Sequence, residues 1–185
     1  MKKISDMIIE EGLENQEIHK KRVTVRGVIQ QGNKVLMVYS PLFKDYTFPG
    51  GGVKDNETLE DALKRELEEE LGAKKVYNIS PIGFVEEKRY GVSGSNHVYH
   101  QTSFYFTCKI DQLGEQKLES REYEHGVIPT WIEIKEAILV NEKTIKEAPR
   151  NKGMKTVLPR ENAVLKYLLR GLEDEKIWSD SKLFG

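Results

Sequence analysis

GGVKDNETLEDALKRELEEELGA, residues 51–73, is a glycine-rich loop running into a helix that carries more acid than solubility requires. Thr58 followed by Asp61 is a helix start of the capping-box type, with Asp where Glu is usual. Leu59, Ala62, Leu63, Leu67 and Leu71 recur at helical spacing, and Gly72 supplies the stop. At about 100° per residue these side chains form one apolar arc. Glu66 and Glu70 fall in the middle of that arc and Glu69 about 60° to its side, whereas Lys64 and Glu68 fall on or near the solvent side. A helix that needed only to be soluble would not set two carboxylates among its core-facing positions.

Those carboxylates are badly placed for stability. Glu66 and Glu70 are a like-charge i,i+4 pair, unfavourable by about 0.2–0.5 kcal/mol even when exposed. Glu68, Glu69 and Glu70 crowd a helix C-terminus, where the macrodipole is already negative. Partial burial raises the cost unless a cation compensates. A hard divalent ion with oxygen ligands does so, and Mg²⁺ fits best, held by a few carboxylates together with substrate phosphates. Arg65, four residues before Glu69, is placed to orient it by an ion pair. The preceding Phe48-Pro49-Gly50-Gly51-Gly52 lets backbone approach a metal or phosphate closely.

Gly51, Glu57, Arg65-Glu66, Glu69-Glu70 and Gly72 stand at the spacing G-x5-E-x7-R-E-U-x-E-E-x-G-U, where U is a bulky aliphatic. The segment resembles the signature of the Nudix hydrolases, departing from it only at Ala73, which is smaller than the usual final residue. The resemblance implies a single-domain α/β fold, an α/β/α sandwich around a mixed sheet. It implies a metal-dependent attack of water on a diphosphate bridge in a nucleoside diphosphate linked to a group X. On that basis Glu66, Glu69 and Glu70 are assigned to metal and catalysis, with one of them or a more distant Glu as general base. The Gly50 carbonyl becomes a further metal ligand, Arg65 an orienter of the glutamates, Gly51 a supporting loop residue, and Glu57 an outer ligand or loop support. The cofactor is Mg²⁺, with Mn²⁺ as a substitute. Many members take another carboxylate from a segment like Glu119-Ser120-Arg121-Glu122-Tyr123-Glu124-His125, which nominates Glu122 and Glu124. A tyrosine sixteen to eighteen residues past the signature accompanies dinucleoside polyphosphate substrates in the family, which nominates Tyr90 as a base-stacking ring. Lys88 stands where ADP-ribose hydrolases carry a proline.

Two readings from other classes compete. A silent nucleotide-binding module usually loses part of the signature, and this chain has lost none of its charged residues. An isoprenoid diphosphate isomerase uses an active-site cysteine, and Cys108 lies in the apolar run Phe104-Tyr105-Phe106-Thr107-Cys108, a core position.

The remainder reads as strands, then helices. Arg22–Ile29 and Lys34–Tyr39 form a hairpin around residues 30–33, with a short strand at Tyr46–Phe48. Val76–Val85 is broken by Pro81 into one bent strand or two short ones. His97–Ile110 and Val127–Ile132 read as strands, residues 133–140 as weakly helical, and Arg160–Leu172 as an amphipathic helix. The expected division is an N-terminal extension (1–21), a core (22–140), and a basic loop with a helix packed on the core (141–185). The cations between Lys143 and Arg160 could reach a polyanionic substrate, with a solvated basic loop as the plainer reading. With 185 residues, 38% of them hydrophobic, and a net charge of −1, the chain supports a buried core and has no global attraction to nucleic acid or membrane. One cysteine forms no intrachain disulfide, and residues 1–12 lack the apolar region of a signal peptide. The expected partner is a small nucleoside diphosphate derivative, the expected compartment the cytoplasm, and a homodimer is compatible with the sequence.

Overall fold

The computed structural model describes residues 1–91, 95–148 and 150–183. Its elements in chain order are β1 (Lys2–Lys3), β2 (Ile8–Ile9), β3 (Lys20–Gln31), β4 (Lys34–Ser40), β5 (Asp45–Thr47), α1 (Leu59–Leu71), β6 (Val76–Tyr90), β7 (Val98–Ile110), α2 (Ser120–His125), β8 (Ile128–Glu133), α3 (Ile134–Glu147) and α4 (Val157–Leu183). The sheet runs β1-β6-β7-β3-β4-β5, with β2 also on β6 and β8 on the other edge of β4. β3 and β7 are parallel, while β6/β7, β3/β4, β4/β5 and β4/β8 are antiparallel, so the sheet is mixed.

Period-two alternation divides the strands between two cores. Val25 and Ile29 of β3, Leu36 and Val38 of β4, and Phe106 and Cys108 of β7 meet Ala62, Leu63, Leu67 and Leu71 of α1. Val28, Val35, Met37 and Tyr105 point the other way, to Ile134, Ala137 and Ile138 of α3 and Val164 and Leu165 of α4. The result is the expected α/β/α sandwich.

One irregularity positions the site. β3 pairs with β4 only from Ile29 to Gln31, after which the strands separate. The glycine loop takes the vacated edge: Val25 N–H donates to the Gly51 carbonyl (2.9 Å), Gly27 N–H to the Pro49 carbonyl (2.9 Å), and Val53 N–H to the Val23 carbonyl (3.1 Å). The backbone groups that β4 abandons are satisfied by the loop. Two glycines make this possible. A Cβ on Gly50, whose φ is +131°, would lie 2.2 Å from the Val25 carbonyl oxygen, and one on Gly51 would lie 2.5 Å from the Glu66 carboxylate.

Helix α1 keeps its expected ends, with Thr58 accepting from Asp61 N–H and Gly72 closing it in the left-handed conformation. Elsewhere local signals fell short. β6 passes Pro81 as one irregular strand, the first of the two expected forms, with register shifts on both sides of the proline, but it runs beyond the expected Val85 to Tyr90. The two strands of residues 1–21 are parallel to β6, and Leu13 is fully buried, so this stretch is built into the fold. α4 begins at Val157, before Pro159, because proline is tolerated in a first helical turn. Of the tail expected to pack on the core, residues 149, 184 and 185 lie outside the described residues.

α3 is tied to the sheet by a polar contact. Buried Asn141 accepts from Tyr46 N–H and donates to the Tyr46 carbonyl, both at 2.9 Å, acting as a missing strand partner for β5. Asn141→Leu leaves both backbone groups unpaired at about 1–3 kcal/mol each, net of the apolar gain. The expected outcome is a loss of about 2 kcal/mol in urea denaturation with little change in the slope.

Candidate active site

On α1, Glu66 and Glu70 are buried while Glu68 is exposed and paired with Lys117 at 2.7 Å. Glu69 is partly exposed at the rim. From the other side, α2 brings Glu122. Ligand oxygens of Glu66, Glu70 and Glu122 lie within 4.8 Å of one another, a group able to hold a cation among the described residues. Three converging oxygen donors suit a hard divalent ion.

Arg65 organises the rim. Its Nε and Nη2 donate to the two oxygens of Glu57 (2.8 and 3.0 Å), its Nη1 to Glu66 Oε1 (2.7 Å) and Glu69 Oε2 (3.1 Å), and its Nη2 also to the Gly52 carbonyl (2.9 Å). The guanidinium holds the Glu57 carboxyl down at about 2. Glu57 Oε2 also accepts from Lys54 N–H (2.9 Å), so both of its oxygens are engaged in holding the loop.

Behind the rim the balance tips toward negative charge. Burial pushes the Glu70 carboxyl up to about 8 from its ordinary 4.5, against Arg26 and the Gly50 N–H, with Glu66 and Glu122 raising it further. Burial also raises Glu66, although Arg65 opposes the shift. The Gly50 amide donates to Glu70 Oε2 at 2.8 Å. The Gly50 carbonyl, expected to ligate metal, accepts from Arg26 Nη1, which also reaches the Phe48 carbonyl at 3.0 Å.

A cleft of about 350 Å³ opens over this group, lined by Arg22, Val23, the glycine loop, Lys54, Arg65, Glu66, Glu119 and Glu122. A smaller pocket of about 170 Å³ lies on the far side of Glu70 and Glu122, lined by Phe43, His125, Val127, Arg150 and Met154 among others. Phe43 and His125 meet edge to face with centroids 4.8 Å apart, and the Arg150 guanidinium lies 4.4 Å over the Phe43 ring while pairing with buried Asp45.

The structure therefore brings together Gly50, Gly51, Glu57, Arg65, Glu66, Glu69, Glu70 and Glu122. It does not bring Tyr90 or Glu124 to the cleft lining. Glu124 is exposed on α2. Tyr90 ends β6, two strands from β3, with the Lys152 ammonium 3.6 Å over its ring. Arg22, Arg26 and Lys54 went unnamed in the sequence. The signal for Arg26 was present, since it interrupts the otherwise largely apolar run of residues 23–29, whereas Arg22 follows Lys20 and Lys21 at the strand's polar start. The basic segment is also not simply solvated. Arg160 is buried between Glu87 (2.8 Å) and Glu161. Cys108 is buried in the α1-side core, and burial pushes its thiol up to about 12, the opposite of an activated nucleophile.

Comparison with known proteins matches residues 20–158 to the NUDIX domain. Nudix hydrolase 12, mitochondrial, of Arabidopsis thaliana is 32% identical over 106 residues, 57% of this chain and 50% of that protein. ADP-ribose pyrophosphatase of Methanocaldococcus jannaschii is 40% identical over 53 residues, 27% of this chain and 31% of that protein. The chain thus spans half or less of the length of these curated relatives. A NUDIX hydrolase structure from Nitrosomonas europaea superposes with a TM-score of 0.49 at 22% identity, covering 68% of this chain and 86% of that one.

The position of Glu70 fixes a pH dependence. Folded Glu70 retains its proton up to about 8, whereas the unfolded chain releases it near 4.5, so the folded state binds more protons in between. Stability of chelator-treated protein should therefore fall as pH rises from about 4.5 to about 8 and level off above. Melting curves across that range should show the decline, and Glu70→Gln, which stays neutral, should flatten it. A divalent cation held by this group would bind the ionised carboxylates of the folded state, so the increment in Tm on adding Mg²⁺ should grow as pH rises over the same interval.

Proposed function

Because the chain belongs to the NUDIX family, we propose that it is a metal-dependent pyrophosphohydrolase, cleaving the diphosphate bridge of a nucleoside diphosphate linked to a second group. The observation that carries this reading is the convergence of Glu66, Glu70 and Glu122 beneath a cleft with cationic walls. Glu66, Glu70 and Glu122 would hold Mg²⁺ or Mn²⁺, with Glu69 at the edge of the set. The bound ion supplies neutralisation of phosphate oxygens and a lower pKa for water.

The chain's own residues do the rest. Arg22 and Lys54 hold the diphosphate by charge-assisted hydrogen bonds. Arg65 is already saturated with acceptors and keeps Glu66 and Glu69 in place. A carboxylate of the acidic set accepts the proton of the water that attacks phosphorus, and the leaving phosphate departs on the far side. The apolar pocket beside Glu70 receives one ring of the substrate against Phe43 and His125. ADP-ribose is the first substrate to try, since a relative carries the name ADP-ribose pyrophosphatase.

Purified protein with Mg²⁺ should be screened against ADP-ribose, dinucleoside polyphosphates, nucleotide sugars and oxidised deoxynucleoside triphosphates. Hydrolysis of at least one at the diphosphate bridge is expected. A silent binder would hydrolyse none, and an isomerase would rearrange isopentenyl diphosphate instead.

Glu69→Gln and Glu70→Gln should each lower kcat at least about a hundredfold, roughly 3 kcal/mol of barrier, while the protein stays folded. Glu68→Gln should leave turnover unchanged because its side chain faces solvent. Equal damage from Glu68→Gln and Glu70→Gln would sink the assignment.

A further inference from the structure

A buried ionic cluster outside the acidic site connects α4 to the glycine loop. Glu87 and Glu161 are fully buried and Arg160 nearly so. Arg160 Nη1 donates to Glu87 Oε2 at 2.8 Å, and its Nε and Nη2 both donate to Glu161 Oε1. The second oxygen of Glu161 accepts from the Phe48 amide at 2.9 Å, across 113 residues of sequence. β5 ends at Thr47, so Phe48 N–H is the first amide past the strand. From Phe48 the contacts pass directly into the site. Its carbonyl accepts from Arg26 Nη1, the same guanidinium reaches the Gly50 carbonyl, and Gly50 N–H donates to Glu70 Oε2. Burying three charged side chains is an expensive way to stabilise a helix, because apolar residues of similar volume serve stability as well or better. The arrangement makes sense as a fixed point for the loop.

We infer that Glu161, locked by Arg160, is a positioning residue of the proposed active site: through the Phe48 amide it sets the glycine loop and the Glu70 carboxylate it contacts. This rests on the hydrolase reading for its purpose but not for its geometry. Glu161 touches neither ion nor substrate. Supporting residues of this kind commonly change metal affinity by about 10–100-fold.

The test compares Glu161→Gln with Leu165→Ala. The amide is isosteric but cannot accept from Arg160 and from Phe48 N–H with separate oxygens. Leu165 lies one turn along α4, fully buried in the core that Phe48 also enters, and its side chain offers the loop no hydrogen bond, so the comparison separates the carboxylate contact from packing. Mn²⁺ affinity is read by electron paramagnetic resonance, and hydrogen exchange is read at the Gly50 amide. Glu161→Gln should weaken Mn²⁺ about tenfold and accelerate Gly50 exchange. Leu165→Ala should lower Tm yet leave both readouts at wild-type values. Unchanged Mn²⁺ affinity and Gly50 exchange in Glu161→Gln would overturn the inference, as would equal shifts from Leu165→Ala. Should Glu161→Gln fail to fold, Arg160→Lys, which keeps the charge but loses the forked geometry, takes its place with a smaller shift in the same direction. If wild-type protein binds no Mn²⁺, the hydrolase reading fails, and Gly50 exchange alone decides the positioning role.

Discussion

Two carboxylates on the inward side of α1 are the constraint to which the neighbouring structure answers. Glu66 and Glu70 cannot turn to water without turning the leucines of the same helix out of the core. They cannot stay without donors and cations, because burial and mutual repulsion both disfavour their charged forms. Three features supply what they need. Arg65, one residue from Glu66, is held in a fork by Glu57 and the Gly52 carbonyl. The Gly50 amide is aimed at Glu70. Arg26 comes from β3, behind the loop. The last two require the loop to lie flat along β3, which requires β4 to leave β3 after three residue pairs. The open edge in the sheet and the acids on the helix are therefore one design. Even so, burial outweighs Arg26 and the Gly50 amide, and the neutral form of Glu70 is favoured up to about 8.

What was legible in the sequence follows from how far apart the partners lie. The bounds of α1 are set by Thr58, Asp61 and Gly72, all within or beside the helix, and the face assignment needs nothing but the helical period. Burial of Glu66 and Glu70 with exposure of Glu68 is that period made visible. The strands followed from alternation, though the ends drifted: β6 runs five residues past the expected Val85 because its pairing with β7 outweighs the local cost of Pro81. By contrast α2, six residues with a capping box of two acids, is too short for periodicity to reveal. Nothing local marks Glu122 as close to Glu70, since the approach depends on how β8 docks on β4.

The charged residues show the limit most clearly. Arg150, Lys152 and Arg160 look alike in a basic run. In the structure one stacks on Phe43, one lies over Tyr90, and one is buried between two acids. Charge alone places a residue at the surface by default, and only a partner brought in by the fold can override that. For Arg160 one partner was adjacent in sequence, but Glu87 is on strand β6, 73 residues away. Arg26 offered a better clue, because a cation on a strand between two cores has to find an acceptor, and here the acceptors are the Phe48 and Gly50 carbonyls of the loop.

This bears on where the working unit ends. The span that matches the family stops at residue 158, two residues before Arg160 and three before Glu161. Its start at residue 20 likewise leaves out Glu10, a buried carboxylate that accepts from the Gly153 amide at 2.9 Å and the Tyr90 amide at 3.1 Å. Both omitted groups act as clamps on segments near the site: Glu161 on the loop that leads to Gly50, and Glu10 on residue 153, beside the Met154 that lines the smaller pocket. Neither carboxylate hydrogen-bonds to Glu66, Glu70 or Glu122 among the described residues; each acts through a backbone amide. A buried carboxylate that accepts from a backbone amide is nevertheless specific in distance and direction, and it fixes the segment it holds more tightly than apolar contact does. The parts of the chain outside the signature and beyond the matched span thus bear on the geometry of the acids, because on the α4 side the start of the loop between β5 and α1 is held by the Glu161 carboxylate and by burial of Phe48 in the core that Val164 and Leu165 share.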